Sequence, residues 1–209
     1  MKLKQLEMTL QKLAGFPEPR AALEQYQTPA PLAARLLYDA LMQGDIAGKV
    51  VCDLGSGTGV LAIGASLLGA ARVKAVEIDA GATAVARKNA ALAGTDIEFI
   101  TADVRDPDLP LRVGPCDTVV MNPPFGAQKA HADRPFIDCA LAIAPVVYGI
   151  FNAGSIPFVT AYTEGRAQIT GMTGGSFPIR RTFAFHTKDV QDIGVEILRL
   201  ERTPQNQER

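Results

Sequence analysis

The sequence predicts an α/β domain in which a single, mostly parallel sheet of seven strands carries helices on both faces. From residue 49 onward, short apolar runs that suit buried strands alternate with longer segments of helical period. These runs end in Gly, Asp, Asn or Pro, the residues typical of loops between elements. With 209 residues, 47% of them hydrophobic, the chain has enough apolar side chains for one core of this kind.

Each element has a local reason. The first segment has four leucines at helical spacing, and Pro31 can open a second helix. Later helical segments are almost wholly apolar or rich in alanine, as expected for helices that pack on a sheet. The predicted helices are 2–14, 31–43, 59–68, 80–93 and 135–143. The predicted strands are 49–54, 73–78, 97–101, 118–121 and 146–151, with two more near 177–186 and 190–200.

Composition limits the class of protein. A formal net charge of −1 gives no overall nucleic-acid signature, so any RNA contact must use a local patch. Cys52, Cys116 and Cys139 form no CxxC pair, which predicts reduced thiols and no metal site. There is no signal-peptide pattern and no apolar run near the ~20 residues that span a bilayer. We therefore expect a cytoplasmic protein with no membrane partner.

The first predicted strand runs into a glycine-rich loop, DLGSGTG at 53–59, at the edge where open α/β sheets bind ligands. A dinucleotide fingerprint needs a small residue at position 60, where this chain has Val60. An acid ends or follows each of the next two strands. Glu77 can accept the hydroxyls of a ribose and Asp103 the exocyclic amine of an adenine, while Asp79 is predicted to cap the following helix.

The glycine loop and the ordered acids resemble the class I S-adenosylmethionine-dependent methyltransferases. That resemblance implies a Rossmann-like fold and S-adenosylmethionine as the cofactor. It places cofactor contacts at Asp53, Gly55, Gly57, Thr58, Gly59, Glu77, Asp103 and Val104.

The fourth predicted strand ends in NPPF at 122–125, and two prolines cannot continue a central strand. A planar amine is a poor nucleophile that needs two hydrogen-bond acceptors rather than a strong base. Asn122 can supply a side-chain oxygen, Pro123 and Pro124 a rigidly held backbone carbonyl, and Phe125 a ring that stacks on a flat acceptor. The motif therefore predicts methyl transfer to an amino nitrogen.

A closer resemblance covers nearly the whole chain. LEQYQTP at 23–29, AARLLY at 33–38, VVMNPPFGAQK and FAFHTKDV resemble the small-subunit ribosomal RNA adenine-N6 methyltransferases of eukaryotic and archaeal type. The resemblance implies that the QYQT segment closes over the cofactor through Gln25, Tyr26 and Thr28. It also implies a small zinc-binding activator protein as a heterodimeric partner, which would pair with a sheet edge such as IEFIT.

Two basic patches are candidate contacts for small-subunit ribosomal RNA. Lys and Arg interleaved with aromatic residues suit single-stranded or flared RNA. The first patch, 177–188, has no acid, and the second, 129–134, follows NPPFG. The predicted RNA-binding residues are Lys129, Arg134, Arg180, Arg181, His186 and Lys188.

Two other functions stay open. A release-factor glutamine-N5 methyltransferase shares the amine chemistry, but such enzymes carry a further N-terminal helical domain, and only 48 residues precede the first predicted strand. A non-catalytic cofactor-binding module is the second alternative, which an intact Asn-Pro-Pro-Phe disfavours. The predicted organisation is N-terminal helices with the QYQT segment at 1–48, one core at 49–203 and a disordered tail at 204–209.

Overall fold

The computed structural model describes residues 1–125, 131–180 and 190–204. Side chains are described for all of these residues except 176–180 and 190–193. The chain forms a seven-stranded sheet in the order β3-β2-β1-β4-β5-β7-β6. The first five strands are parallel, and β7 runs antiparallel to both β5 and β6. The strands are β1 Val50–Leu54, β2 Arg72–Glu77, β3 Glu98–Thr101, β4 Thr118–Met121, β5 Val146–Asn152, β6 Ala167–Arg180 and β7 Val190–Arg202.

The helices divide between the two faces of the sheet. One apolar cluster packs the first four helices, α1, α2, α3 and α4, against one face of the sheet. A second packs α5, α6 and α7 against the other face, so the side chains of β1 alternate between the two clusters. The helices are α1 Leu3–Leu10, α2 Ala30–Met42, α3 Val60–Leu67, α4 Ala80–Ala93, α5 Leu109–Val113, α6 Arg134–Ile143 and α7 Ile156–Tyr162. The predicted Rossmann-like α/β architecture is confirmed.

Some boundaries differ from the prediction. α1 ends at Leu10 rather than residue 14, because the chain turns there toward the cleft described below. β6 begins at Ala167, about ten residues before the predicted strand, since three glycines within it mask the strand pattern. The short helices α5 and α7 were not predicted, being too brief to show a helical period.

The three cysteines are buried free thiols. Within the described part of the chain, no helix is long and apolar enough to cross a membrane. The predicted domain division at residue 48 stays a prediction, although α1 and α2 share a core with α3. The predicted tail lies outside the described residues from 205 onward.

One ion pair fastens the loop after α2 to the sheet. The Asp45 carboxylate accepts hydrogen bonds from the Tyr148 hydroxyl at 2.7 Å and from Arg199 Nε at 2.9 Å, and Asp45 and Arg199 side chains are only 13% and 17% exposed. We expect Asp45→Ala to lower the free energy of unfolding by about 3 kcal/mol, because it leaves a mostly buried guanidinium with less compensation.

Urea unfolding followed by circular dichroism measures this change. Glu7→Ala is the control, since it removes a carboxylate from the pair with Lys4, whose side chain is 73% exposed. That variant is expected to lose less than about 0.5 kcal/mol. Equal losses in the two variants would show that the Asp45 pair has no special weight.

Candidate active site

A cleft of about 270 Å³ opens at the carboxyl ends of the parallel strands, where the strand order reverses between β1 and β4. It brings together most of the predicted site residues. Those lining it are Gln25, Tyr26, Thr28, Asp53, Gly55, Gly57, Thr58, Glu77, Asp103, Val104, Asn122 and Pro124. Gly59, Pro123 and Phe125 are not among the lining residues.

The glycine loop needs glycine for two separate reasons. Gly55 and Gly57 have φ of +72° and +52°, which L side chains rarely adopt. A Cβ on Gly57 would also lie 2.8 Å from Cζ of Phe16. Gly59, with φ +88°, instead precedes α3 and packs close to Ala86 of α4. The predicted cofactor contact at Gly59 stays a prediction. The role that the structure gives Gly59 is that of the N-cap of α3.

Glu77 holds the glycine loop in shape. Its buried carboxylate accepts from the backbone N–H of Gly57 at 2.8 Å and of Asp79 at 2.9 Å. Burial raises its pKa, and these backbone donors oppose the rise. The predicted role of Glu77 on a ribose therefore stays a prediction beside this structural one.

Asp79 begins α4, as predicted from the sequence. Its side chain accepts from the Gly81 N–H at 2.8 Å, which satisfies one of the free donors at the helix start. The carboxylate also accepts from Gln25 Nε2 at 2.8 Å and lies 3.6 Å from Arg20 Nε. The Gln25 hydrogen bond is the main reason that the pKa of Asp79 is lowered.

Asp53 lies at the end of β1 and is almost wholly buried. One carboxylate oxygen accepts from the Ala62 N–H at 2.9 Å, whereas Oδ1 has no hydrogen-bond partner. Burial raises the pKa of Asp53 to about 7. A buried acid with an open acceptor is suited to a positively charged ligand group.

Residues 14–28 form a strap across the cleft. Asn89 of α4, 1% exposed, fastens its beginning: the carboxamide accepts from the Ala14 N–H at 3.0 Å and donates to the Ala14 and Thr58 carbonyls at 2.9 Å. Gln25 fastens its other half to Asp79. Sequence reasoning missed Asn89, although a polar residue on the alanine face of α4 was the available signal.

Asn122 sits where β4 ends and the strap returns. Its Nδ2 donates to the Thr28 hydroxyl at 3.0 Å, which leaves Oδ1 buried without a partner. Phe125 packs against Tyr26, with ring centroids 5.6 Å apart and planes at 40°. Burial raises the pKa of Tyr26, so its hydroxyl stays protonated.

Asp103 is held by its neighbour. Arg105 Nε lies 3.0 Å from both carboxylate oxygens, and the Arg105 N–H donates to Oδ1 at 2.9 Å. An interaction between Asp103 and an adenine amine would have to share the carboxylate with Arg105. That role of Asp103 stays a prediction.

The predicted RNA-binding residues are only partly described. Arg134 begins α6, and Arg180 ends β6, where only its backbone is described. Lys129, Arg181, His186 and Lys188 lie outside the described residues. His131 is exposed and contributes to the cleft wall.

The cleft has the polar character of a ligand site. Six buried side-chain polar atoms among the described residues have no hydrogen-bond partner, and five of them belong to residues that line the cleft. They are Tyr26 OH, Asp53 Oδ1, Ser56 Oγ, Thr58 Oγ1 and Asn122 Oδ1. Since buried polar groups are normally paired, these atoms fit a polar ligand between β1 and β4.

Comparison with known proteins decides the family. The model of the methyltransferase small domain matches residues 31–142, just over half of the chain. The chain belongs to this methyltransferase family. Its cofactor is S-adenosylmethionine, which carries hydroxyls, amines and a positive sulfonium that suit the unpaired polar atoms and the buried Asp53.

Two proteins are similar to this chain along almost its whole length. The crystal structure of PH1948 from Pyrococcus horikoshii, a suggested RNA methyltransferase, has a TM-score of 0.89 and 40% identity, covering 98% of this methyltransferase and 99% of that chain. The rRNA N(6)-adenosine-methyltransferase Mettl5 of Drosophila melanogaster is 34% identical over 96% of this chain and 97% of its own.

A release factor glutamine methyltransferase of Mycolicibacterium smegmatis is similar over a shorter stretch. The match is 42% identical over 53% of this methyltransferase and 39% of that protein. The similarity to that enzyme is therefore partial, whereas the similarity to Mettl5 runs along both chains.

Proposed function

We propose that this methyltransferase transfers a methyl group from S-adenosylmethionine to N6 of an adenine in small-subunit ribosomal RNA. The observation that carries the proposal is the state of Asn122. Its Nδ2 is occupied by Thr28, so its buried Oδ1 is left as an acceptor in the cleft. The full-length similarity to a protein named as an rRNA N(6)-adenosine-methyltransferase supports the choice of adenine in rRNA.

The chain's residues are proposed to orient the amine and not to deprotonate it before it attacks. The nitrogen, cationic once it has gained the methyl group, then releases one proton to solvent. Asn122 Oδ1 and the Pro123 carbonyl are proposed to accept its two N–H groups, so that the nitrogen lone pair develops as the amine leaves the plane of the ring. The bound cofactor supplies a methyl group on a positive sulfur. Alignment and fixed acceptors then provide most of the rate.

The aromatic pair of Tyr26 and Phe125 is proposed to hold the target base. The two rings are already in contact, and both side chains are half-buried beside Asn122. A flipped adenine that stacks on one of them gains roughly 1–3 kcal/mol. This requirement favours a base that is unpaired or easily extruded.

The strap is proposed to close over the cofactor through Gln25, Tyr26 and Thr28. Its attachment to Asp79 and Asn89 of α4 and to Asn122 after β4 supports this role, because the strap is thereby joined to two separate elements around the cleft. A zinc-binding activator on the sheet edge and a cytoplasmic location remain part of the proposal. The short edge strand β3 is free of sheet neighbours on one side among the described strands.

A methyl-transfer assay with labelled S-adenosylmethionine tests the proposal. Small-subunit rRNA, large-subunit rRNA and a release factor are offered separately, with and without the activator, and labelled RNA is digested to nucleosides. N6-methyladenosine in small-subunit rRNA is expected. Label in the release factor would replace adenine by glutamine as the acceptor and keep the amine chemistry, and label in large-subunit rRNA alone would move the target.

Thr28 is expected to act on Asn122 more than on the cofactor. Thr28→Val removes the hydroxyl that fixes the amide at 3.0 Å, so the amide can turn its donor side to the target. We expect kcat to fall about tenfold, equivalent to about 1.4 kcal/mol of orientation.

The cofactor KM and the Thr28→Ser variant separate the two roles. Serine retains the hydroxyl and is expected to restore most of kcat. A Thr28→Val enzyme with normal kcat and a raised cofactor KM would instead support the cofactor contact inferred from the resemblance.

Asp53 gives cofactor binding a pH dependence. Its pKa of about 7 means that it gains charge between pH 6 and 8, and the ionised form attracts a cationic ligand. Affinity for S-adenosylmethionine is expected to rise about tenfold over that range in titration calorimetry. Asp53→Asn, which retains an acceptor for Ala62, is expected to flatten the profile.

The stability of the ligand-free enzyme should change in the opposite sense. Because the folded pKa lies above the ordinary value, the fold favours protonated Asp53. This contribution is fully present below about pH 4 and is lost as the pH rises toward 7. If the affinity of the wild type for S-adenosylmethionine did not change between pH 6 and 8, Asp53 would not be the group that attracts the cationic part of the cofactor.

A further inference from the structure

Arginine and aromatic side chains form a continuous surface on α6, α7 and the turn after α7. Phe158 and Tyr162 lie one helical turn apart with stacked rings, centroids 5.6 Å apart and planes at 24°. The Arg134 guanidinium lies 5.6 Å from the first ring and 5.2 Å from the second, and Arg166 lies 5.0 Å from Tyr162. We call these four residues the arginine–aromatic ladder.

The ladder begins at the wall of the cleft. Arg134 is the first residue of α6, and the next two residues, Pro135 and Phe136, line the cleft together with Asn122. From there the ladder leads away across α7 to Arg166. A strand whose target base enters the cleft would therefore meet Arg134 as it leaves.

One end of the ladder is fixed and the other has free hydrogen-bonding capacity. Asp138 accepts from Arg166 at 2.7 Å and from the Tyr162 hydroxyl at 2.7 Å, which sets the positions of both. Arg134 forms no salt bridge with any residue that the structure describes, and its buried Nε has no hydrogen-bond partner there. Asp133, the residue before Arg134, is close enough for the two charges to interact, although the two form no salt bridge.

We propose that the arginine–aromatic ladder binds the single-stranded RNA that flanks the methylated adenine. This inference rests on the proposed function and adds Phe158, Tyr162 and Arg166 to it. Half-buried rings and guanidinium planes suit unstacked bases, and the unpaired guanidinium of Arg134 suits a phosphate. Asp133 and Asp138 lie beside Arg134 and Arg166 and balance their charges, so stacking rather than net charge is expected to supply most of the affinity.

Fluorescence anisotropy tests the ladder on the whole enzyme. The probes are a labelled single-stranded A/U RNA of about 20 nucleotides and a duplex of the same length. Arg134→Ala and Phe158→Leu are each expected to weaken binding of the single strand about five- to tenfold. In Arg134→Ala the slope of log K against log salt should fall by about 0.7, the value for one phosphate contact on a single strand.

Arg87→Ala is the matched control. Arg87 also stacks on an aromatic ring, with its guanidinium carbon 4.9 Å from the Phe99 centroid, but it lies on α4 near β3 and away from the ladder. The Arg87→Ala substitution removes the same charge and the same kind of contact as Arg134→Ala, but outside the ladder. The RNA affinity of this variant should therefore equal that of the wild type. Arg134→Lys, which keeps the charge, is expected to keep the salt slope and lose part of the affinity.

The outcomes separate the ladder from the proposed function. Wild-type affinity in Arg134→Ala and Phe158→Leu, in enzymes that still methylate RNA, would overturn the ladder alone. Affinity lost equally in Arg87→Ala, or binding of the duplex as tightly as the single strand, would also overturn it. An enzyme that methylates no RNA, but whose single-strand affinity depends on the ladder, would overturn the proposed reaction and retain the surface.

Discussion

Asn122→Ala is expected to lower kcat for methyl transfer by about 10²-fold or more while S-adenosylmethionine still binds. The physical reason is that Asn122 Oδ1, buried and without a partner, is the proposed acceptor that tightens as the amine becomes tetrahedral. Loss of one fixed polar group of this kind in other enzymes costs about 10²–10³ in kcat. Cofactor affinity depends mainly on other residues of the cleft and should change by less than about threefold.

Single-turnover transfer and cofactor titration measure the two effects separately. Asn122→Asp is the informative second variant, because it keeps an oxygen in place but cannot donate to the Thr28 hydroxyl as the amide does. It should retain more activity than Asn122→Ala. If Asn122→Ala transfers methyl groups at the wild-type rate, other residues orient the amine. If the wild-type protein transfers none to any substrate, the alternative of a non-catalytic cofactor-binding module gains support.

Gly57→Ala is expected to weaken S-adenosylmethionine binding by about 10²-fold. The substitution forces a side chain into a left-handed backbone with φ +52°, and its Cβ would lie 2.8 Å from the Phe16 ring. The backbone term alone is about 1–2 kcal/mol. The collision adds displacement of the strap that covers the cleft, so the cofactor site is disturbed from two sides.

Two variants separate the backbone term from the collision. Gly94→Ala has the same left-handed problem, with φ +67°, but a Cβ there meets nothing within 4 Å. It should lower thermal stability without changing cofactor affinity. The double variant Gly57→Ala/Phe16→Ala should lose less affinity for S-adenosylmethionine than the sum of the losses in the two single variants, because the truncated Phe16 no longer meets the new Cβ. If the two losses simply add, the contact with Phe16 is not the cause.

The sequence predicted most of the fold because its signals are local and periodic. Strand length, helical period and loop residues fixed β1 to β5 to within about a residue at each end and placed α4 without error. The failures have physical causes. β6 is rich in glycine, so its strand character comes from pairing with β7 rather than from its own side chains, and α7 is only seven residues long.

The candidate site divides in the same way. Asp53 lies near the end of β1 and Asn122 directly after β4, and the strands of a parallel sheet bring those ends to one edge. Contacts that join distant segments leave no local trace. Asn89 bonds to Ala14, 75 residues away, and Asn122 to Thr28, 94 residues away. These are the contacts that position the strap.

By itself, the sequence determined the α/β class and the location of the cleft at the strand ends, because each depends on residue type and order along a strand. The amine-directed chemistry indicated by NPPF stays a prediction. Only the tertiary structure decided which oxygen of Asn122 is open, that Glu77 supports the glycine loop, and that Arg134 joins Phe158, Tyr162 and Arg166 in one surface. The reason is that hydrogen-bond occupancy and side-chain packing are set by atoms far apart in the chain, and they exist only once those atoms have come together.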